Sequence, residues 1–139
     1  MAADPNCIFC KVVAGEIPSH KIDEDDKTVA FMDINPWTRG HALVIPKEHS
    51  RNVYDVDPAD LAAVMATAQR VAQRLRERLG AEGINLLQSS EPVAMQTVFH
   101  THVHVIPRYS DDGLRMPAHP QPAEHEELAA LAEELRGQR

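Results

Sequence analysis

Two rhythms of apolar residues run through the chain. The longer one places Leu61, Val64, Met65, Ala68, Val71, Leu75 and Leu79 at three- and four-residue steps. That spacing puts them on one face of a helix over residues 58–79. Asp57 supplies an N-cap oxygen, Pro58 fits the first helical position, and Gly80 ends the helix. The opposite face carries Gln69, Arg70, Gln73, Arg74, Glu77 and Arg78, which reads as a solvated helix face and not a nucleic-acid patch. The shorter rhythm, in runs rich in β-branched residues, predicts strands over 28–32, 41–45, 83–87 and 98–106. Pro46 stops the second of these and Pro107 the last. A short helix is expected over 7–14, closed by Gly15. Residues 33–40 are turn-rich, 89–95 form a polar loop, 111–123 a proline-rich extended tail, and 124–136 a short charged helix. The expected class is α+β, with a mostly antiparallel sheet of about five strands and one long helix.

Length and composition narrow the classes of function. With 139 residues, 43% hydrophobic and 25% charged, the chain suits one domain spanning 1–139 with a core over about 7–109. The net charge of −7 and the lack of a lysine or arginine stripe argue against nucleic acid or a membrane surface as partner. No apolar run approaches the ~20 residues that span a bilayer. The N-terminus has no signal-peptide pattern, so a cytoplasmic location is expected. The two cysteines, Cys7 and Cys10, are spaced as a metal or redox pair.

The chemistry concentrates in His100-Thr101-His102-Val103-His104. In a strand, alternate side chains share a face, so the three imidazoles would point one way and Thr101, Val103 and Val105 the other. Three imidazoles make a poor apolar face, which favours a functional site. Two chemistries fit. Neutral imidazoles at this spacing can share a zinc ion. An imidazole, with an ordinary pKa of about 6.5, can also attack phosphorus and later yield to water.

The chain also resembles the histidine-triad superfamily, nearest its Hint-type bacterial branch with a Cys-x-x-Cys. The resemblance is carried by CIFCKVVAGEIPS, AFMDINP, GHALVIPKEH and QTVFHTHVHVIPR in that order. It implies an antiparallel HIT-like sheet and a homodimer joined through the long helix and a strand. His102 would be the nucleophile, forming a nucleotidyl-histidine. His104 would carry phosphate charge or protonate the leaving group. Gln96 and Thr97 would contact the phosphate and leaving group, with His41 close by. Asp33 would hold the ribose hydroxyls, and Ile8, Phe9, Val12, Ile17, Phe31 and Ile34 would enclose a purine base, with Gln88 as a further polar contact. Cys7, Cys10, His49 and His100 would bind a structural zinc, and no catalytic metal would be needed. His20, His119 and His125 are read as surface residues.

The implied activity is hydrolysis or transfer at the α-phosphate of purine nucleoside 5′-phosphate derivatives, of the phosphoramidate type. Cleavage of dinucleoside polyphosphates and non-catalytic nucleotide binding are the alternatives. Three departures from the pattern stand out. Met95 replaces a glycine, which suggests a differently shaped phosphate loop. Gln88-Ser89-Ser90 replaces Asn-x-Gly. Thr101 places a hydroxyl on the core-facing side, where it needs a partner.

Overall fold

The computed structural model describes residues 3–116 and 119–137. The elements in chain order are α1 (Ile8–Val13), β1 (Lys21–Glu24), β2 (Thr28–Met32), β3 (Ala42–Pro46), α2 (Pro58–Leu79), β4 (Gly83–Leu87), a 3₁₀ turn (Pro92–Ala94), β5 (Val103–Arg108) and α3 (His125–Arg136). The five strands form one antiparallel sheet in the order β1-β2-β3-β5-β4. β1 was not foreseen; its four residues are too short and too polar to announce a strand.

The sheet is covered on both faces, which explains why β3 (ALVIP) is apolar throughout and buried throughout. On one face α2 lays Val64, Ala68, Val71 and Leu75 against Ala30, Ala42, Val44, Val103 and Val105. On the other, Val29, Phe31, Leu43 and Ile45 meet Phe9 and Val12 from α1. Each fully buried aliphatic side chain of this kind stabilises the fold by roughly 1.5–3 kcal/mol. The α2 caps follow the sequence: Asp57 accepts from the Ala59 N–H, and Gly80 is left-handed at φ 71°. Met65, by contrast, is exposed despite its place in the periodic pattern.

The polar face of α2 is solvated at Gln69, Gln73, Glu77 and Arg78, as expected, while two of its arginines also reach the sheet edge. Arg70 reaches Asp23 at 3.2 Å and Asp25 at 3.1 Å, and Arg74 donates to the Ile22 carbonyl at 3.0 Å. These arginines bind the helix to the unforeseen β1. The pairs are half-exposed, so each adds little stability.

A correction concerns the catalytic segment. The strand expected over 98–106 begins only at Val103 and continues past Pro107 to Arg108. Residues 98–102 are irregular, so strict alternation does not apply to His100 and His102. Four successive residues of a neighbouring strap hold this stretch in place. His49 meets His100, and the Ser50 carbonyl accepts the Thr101 N–H at 2.9 Å while the two hydroxyls meet at 2.6 Å. The Arg51 guanidinium lies 4.5 Å over the Phe99 ring, and the Asn52 amide donates to Gln96. The hydroxyl of buried Thr101 thereby finds the partner its position demands.

Between β2 and β3, Gly40 is required twice over. Its φ is +95°, and an added Cβ would lie 2.7 Å from Leu79 Cδ1 and 3.0 Å from Leu75 Cδ2. This close approach lets the 33–40 turn fold down beside His41. The tail after Asp111 opens in a turn and, where described, carries no helix or strand before α3, which starts one residue later than expected.

Candidate active site and metal cluster

A pocket of about 580 Å³ opens on the α1 face of the sheet. The register sets its floor: His104 of β5 stands opposite Leu43 of β3 and Leu87 of β4, and all three line the pocket. All six apolar residues expected around a base (Ile8, Phe9, Val12, Ile17, Phe31 and Ile34) line it, together with Asp33, Thr97, His102 and His104. Phe9, Val12 and Phe31 are buried, whereas Ile8 and Ile34 are exposed. Exposure of branched aliphatics at the mouth of a concave site is more informative than burial would be. Sequence reasoning did not pick out Trp37, Ser19, Asn35 or Ser89, which also line it, and His20 reaches its rim from the surface. Trp37 sits in a turn where no periodicity could signal a contact; only its being the chain's single tryptophan draws the eye.

Hydrogen bonds to groups of fixed character assign the histidine tautomers. His102 Nδ1 lies 2.7 Å from the His100 carbonyl. A carbonyl only accepts, so Nδ1 carries the proton and Nε2 keeps its lone pair. A second chain starts at the Trp37 backbone N–H, which donates to His41 Nδ1 at 3.0 Å. Neutral His41 therefore carries its proton on Nε2 and donates it to His104 Nδ1 at 2.9 Å. Neutral His104 is left with an N–H at Nε2. His102 thus offers a lone pair and His104 a proton donor, on rings whose centroids are 5.1 Å apart. Burial holds the pKa of His102 and His41 below the usual value and takes His104 down to about 4, so all three rings are neutral at pH 7. The Asp33 carboxylate opposes the shift weakly, at 3.5 Å from His41 and 4.0 Å from His104. Its other oxygen accepts the Asn35 N–H at 2.8 Å, an Asx turn.

Two expected contacts lie elsewhere. Gln96 is buried outside the pocket lining, with its amide fully used. Its nitrogen donates to the Arg51 and Val98 carbonyls, and its oxygen accepts from Asn52 and the Glu91 N–H. It acts as a bracket for the loop that presents Thr97, because a side chain so placed satisfies four groups that would otherwise be unpaired. Gln88 folds onto its own loop, donating to the Ser89 carbonyl and accepting from Ser90. Met95 occupies the left-handed region at φ 75° where a glycine was anticipated, and its exposed side chain lines the pocket. Glu91 is also at positive φ, 79°, held there by a two-pronged contact from Arg51 and a bond from Asn52.

His100 leaves this group altogether. Its side chain is buried with Cys7, Cys10 and His49, whose ligand atoms all lie within 4.8 Å of one another. The observed separations are 3.4 Å (Cys7 Sγ to His100 Nδ1), 3.5 Å (Cys10 Sγ to His100 Nδ1) and 3.3 Å from His49 Nδ1 to both Cys10 Sγ and His100 Nδ1. Tetrahedral zinc with two sulfur and two nitrogen ligands has ligand–ligand edges of about 3.3–3.8 Å. His100 Nε2 donates to the Pro46 carbonyl at 2.8 Å, which turns the Nδ1 lone pair toward the cluster. The donor set could therefore hold a metal ion with no open position, and both cysteines are free thiols.

A five-stranded antiparallel sheet bearing paired histidines over an apolar cleft places the protein in a known class, and the chain belongs to the HIT domain family, whose model matches residues 14–111. It is 38% identical over 133 residues to the adenosine 5′-monophosphoramidase of Schizosaccharomyces pombe, covering 94% of this chain and 96% of that one. A crystal structure of a Streptococcus mutans protein superposes with a TM-score of 0.94 at 39% identity, covering 99% and 88% of the two chains. A Zn-bound histidine triad family protein from Mycobacterium smegmatis superposes with a TM-score of 0.77 at 40% identity, covering 96% and 98%.

Proposed function

We propose that the protein hydrolyses purine nucleoside 5′-phosphoramidates through a covalent nucleotidyl-histidine on His102. The observation that carries this reading is the opposed pair of tautomers: a free lone pair on His102 beside an N–H on His104. The base would lie among Ile8, Phe9, Val12, Ile17, Phe31 and Ile34, with Asp33 toward the ribose. His102 Nε2 attacks phosphorus as the P–N bond to the amine breaks, and the departing nitrogen takes one proton from solvent. Water then attacks phosphorus, the P–Nε2 bond breaks, one proton returns to solvent, and the nucleoside monophosphate leaves with the lone pair restored to His102. A neutral imidazole N–H is a weak acid but a good hydrogen-bond donor. Charge stabilisation at a phosphate oxygen is therefore the role His104 suits, with Thr97 as a second donor.

Among the described residues, the pocket lining contains no lysine or arginine. Neutral donors suit the single negative charge of a phosphoramidate and not the several charges of a dinucleoside polyphosphate. The alignment with a named adenosine 5′-monophosphoramidase supports the same choice. For the cluster, two thiolates and two imidazoles match zinc, and the Zn-bound relative supports that assignment. When bound, the ion would supply a structural crosslink. A homodimer through α2 and a sheet strand completes the proposal.

The test compares kcat/KM on adenosine 5′-phosphoramidate with that on diadenosine polyphosphates. A preference for the phosphoramidate of at least about tenfold, roughly 1.4 kcal/mol in transition-state stabilisation, is expected. Equal or reversed preference would overturn the substrate assignment.

A further inference from the structure

His100 belongs to both constellations at once. Its side chain lies in the metal cluster, while its backbone carbonyl is the acceptor, at 2.7 Å, for His102 Nδ1–H. That single bond decides which nitrogen of His102 is free. We infer that metal in the Cys7–Cys10–His49–His100 cluster holds the His100 carbonyl in the position that fixes the reactive tautomer of His102, making His100 a positioning residue for the proposed reaction. The inference rests on the nucleotidyl-transfer reading for its consequence in rate, but not for its structural content.

The physical case starts from crowding. The two Nδ1 atoms of His49 and His100 are 3.3 Å apart, and both cysteine sulfurs stand 3.4–3.5 Å from His100 Nδ1. His100 Nδ1 is a bare lone pair, because its proton is committed to Pro46. Without an ion only the thiol protons of Cys7 and Cys10 lie among these lone pairs, and an S–H is a weak donor, so the metal-free cluster is held far less firmly than the loaded one. Emptied of its ion, the cluster relaxes by spreading. His100 has no slack on the pocket side, since its carbonyl is already in contact with the His102 ring.

A second route runs the same way. Cys7 caps α1 by accepting the Cys10 N–H at 3.3 Å, and Phe9 of that helix packs edge-on against His102 with centroids 5.2 Å apart. Spreading at Cys7 therefore moves the ring that braces the nucleophile as well as the carbonyl that orients it. On the strand side, the Thr101–Ser50 bonds limit the motion to residues up to 100.

The test reads tautomers directly. Protein labelled with ¹⁵N-histidine is examined by long-range ¹H–¹⁵N correlation, zinc-loaded and after chelation, with metal content and far-UV circular dichroism recorded on each sample. The loaded protein is expected to show His102 entirely as the Nδ1–H form. The stripped, still folded protein is expected to show at least about one third of His102 as the Nε2–H form, and kcat on adenosine 5′-phosphoramidate lowered about tenfold with KM little changed. Should stripping unfold the chain, His49→Cys, which keeps four ligands, is compared with His49→Ala. The first is expected to retain the Nδ1–H form when loaded and the second to lose it. An unchanged His102 tautomer in folded, metal-free protein, or in His49→Ala, would overturn the inference, as would failure of the wild type to bind zinc. Absence of phosphoramidase activity alongside a metal-dependent tautomer would count against the proposed reaction and leave the inference standing.

Discussion

His100 and His104 are four residues apart in one alternating pattern, yet they serve opposite environments. Around His100 every ligand atom points inward, the site is closed, and the neighbours are thiols and another imidazole. Around His104 the groups alternate donor and acceptor, from Trp37 through His41 to the pocket. The same side chain offers a lone pair to a cluster that could hold a metal ion in one place and a proton donor in the other, because a different partner takes its second nitrogen. Pro46 fixes His100 by accepting from Nε2, and His41 fixes His104 by donating to Nδ1. The chemistry of an imidazole is thus decided by what holds the ring's other end.

The largest effect expected from breaking this contrast is on the closed side. Metal removal should lower stability by several kcal/mol, since binding to the native arrangement contributes directly to folding. Thermal unfolding with and without chelator measures it; a midpoint unmoved by chelation would mean that the cluster carries no structural ion.

A smaller effect separates bracket from contact. Gln96→Leu removes an amide that satisfies Arg51, Val98, Glu91 and Asn52. The expected cost is about 2–3 kcal/mol of stability, from buried groups left unpaired. Denaturant unfolding reads it. Unchanged stability with a large fall in kcat alone would instead place Gln96 on the phosphate.

An effect of the same order lies in the pH dependence of the open side. Burial takes the pKa of His104 from 6.5 to about 4. As pH falls below about 6.5 the unfolded chain takes up this proton first, so the unfolded state binds more protons and stability declines with acidity. The contribution is whole above pH 6.5 and is lost across the window down to about 4. Chemical denaturation at pH 7.5, 5.5 and 4 should show that slope, and His104→Gln should make it shallower. An equal slope in both proteins would mean that His104 is not held neutral.

Much of this was legible beforehand, and the misses have physical causes. The long helix could be read to the residue, because its apolar stripe, N-cap and left-handed glycine all agree. The apolar β3 and β5 residues were equally clear. The extent of β5 was not: His100-Thr101-His102 alternates as a strand does, but Thr101 is bonded to Ser50 and not to a ladder. β1 was invisible because Lys21 to Glu24 have no apolar alternation; they are ordered by pairing with β2, with Arg70 and Arg74 reaching them across the fold. At the site, family resemblance drew in residues that periodicity assigns to core. For Gln96 and Gln88 it could not show the hydrogen bonds their amides make, since a motif position says which residue is present and not which neighbours claim it. Trp37 and the His41 relay needed three dimensions, because a backbone N–H donating to a ring four residues ahead leaves no mark on a hydrophobic pattern.

The central claim is that His102 is a nucleophile with a free Nε2. It is tested most directly by mixing the protein with phosphorus-labelled adenosine 5′-phosphoramidate and quenching within milliseconds to seconds. The account predicts an alkali-stable, acid-labile nucleotidyl adduct on His102, formed before AMP release and absent from His102→Ala, whose turnover should fall at least ~10³-fold. AMP released by the wild type with no adduct, or an adduct that persists in His102→Ala, would contradict it.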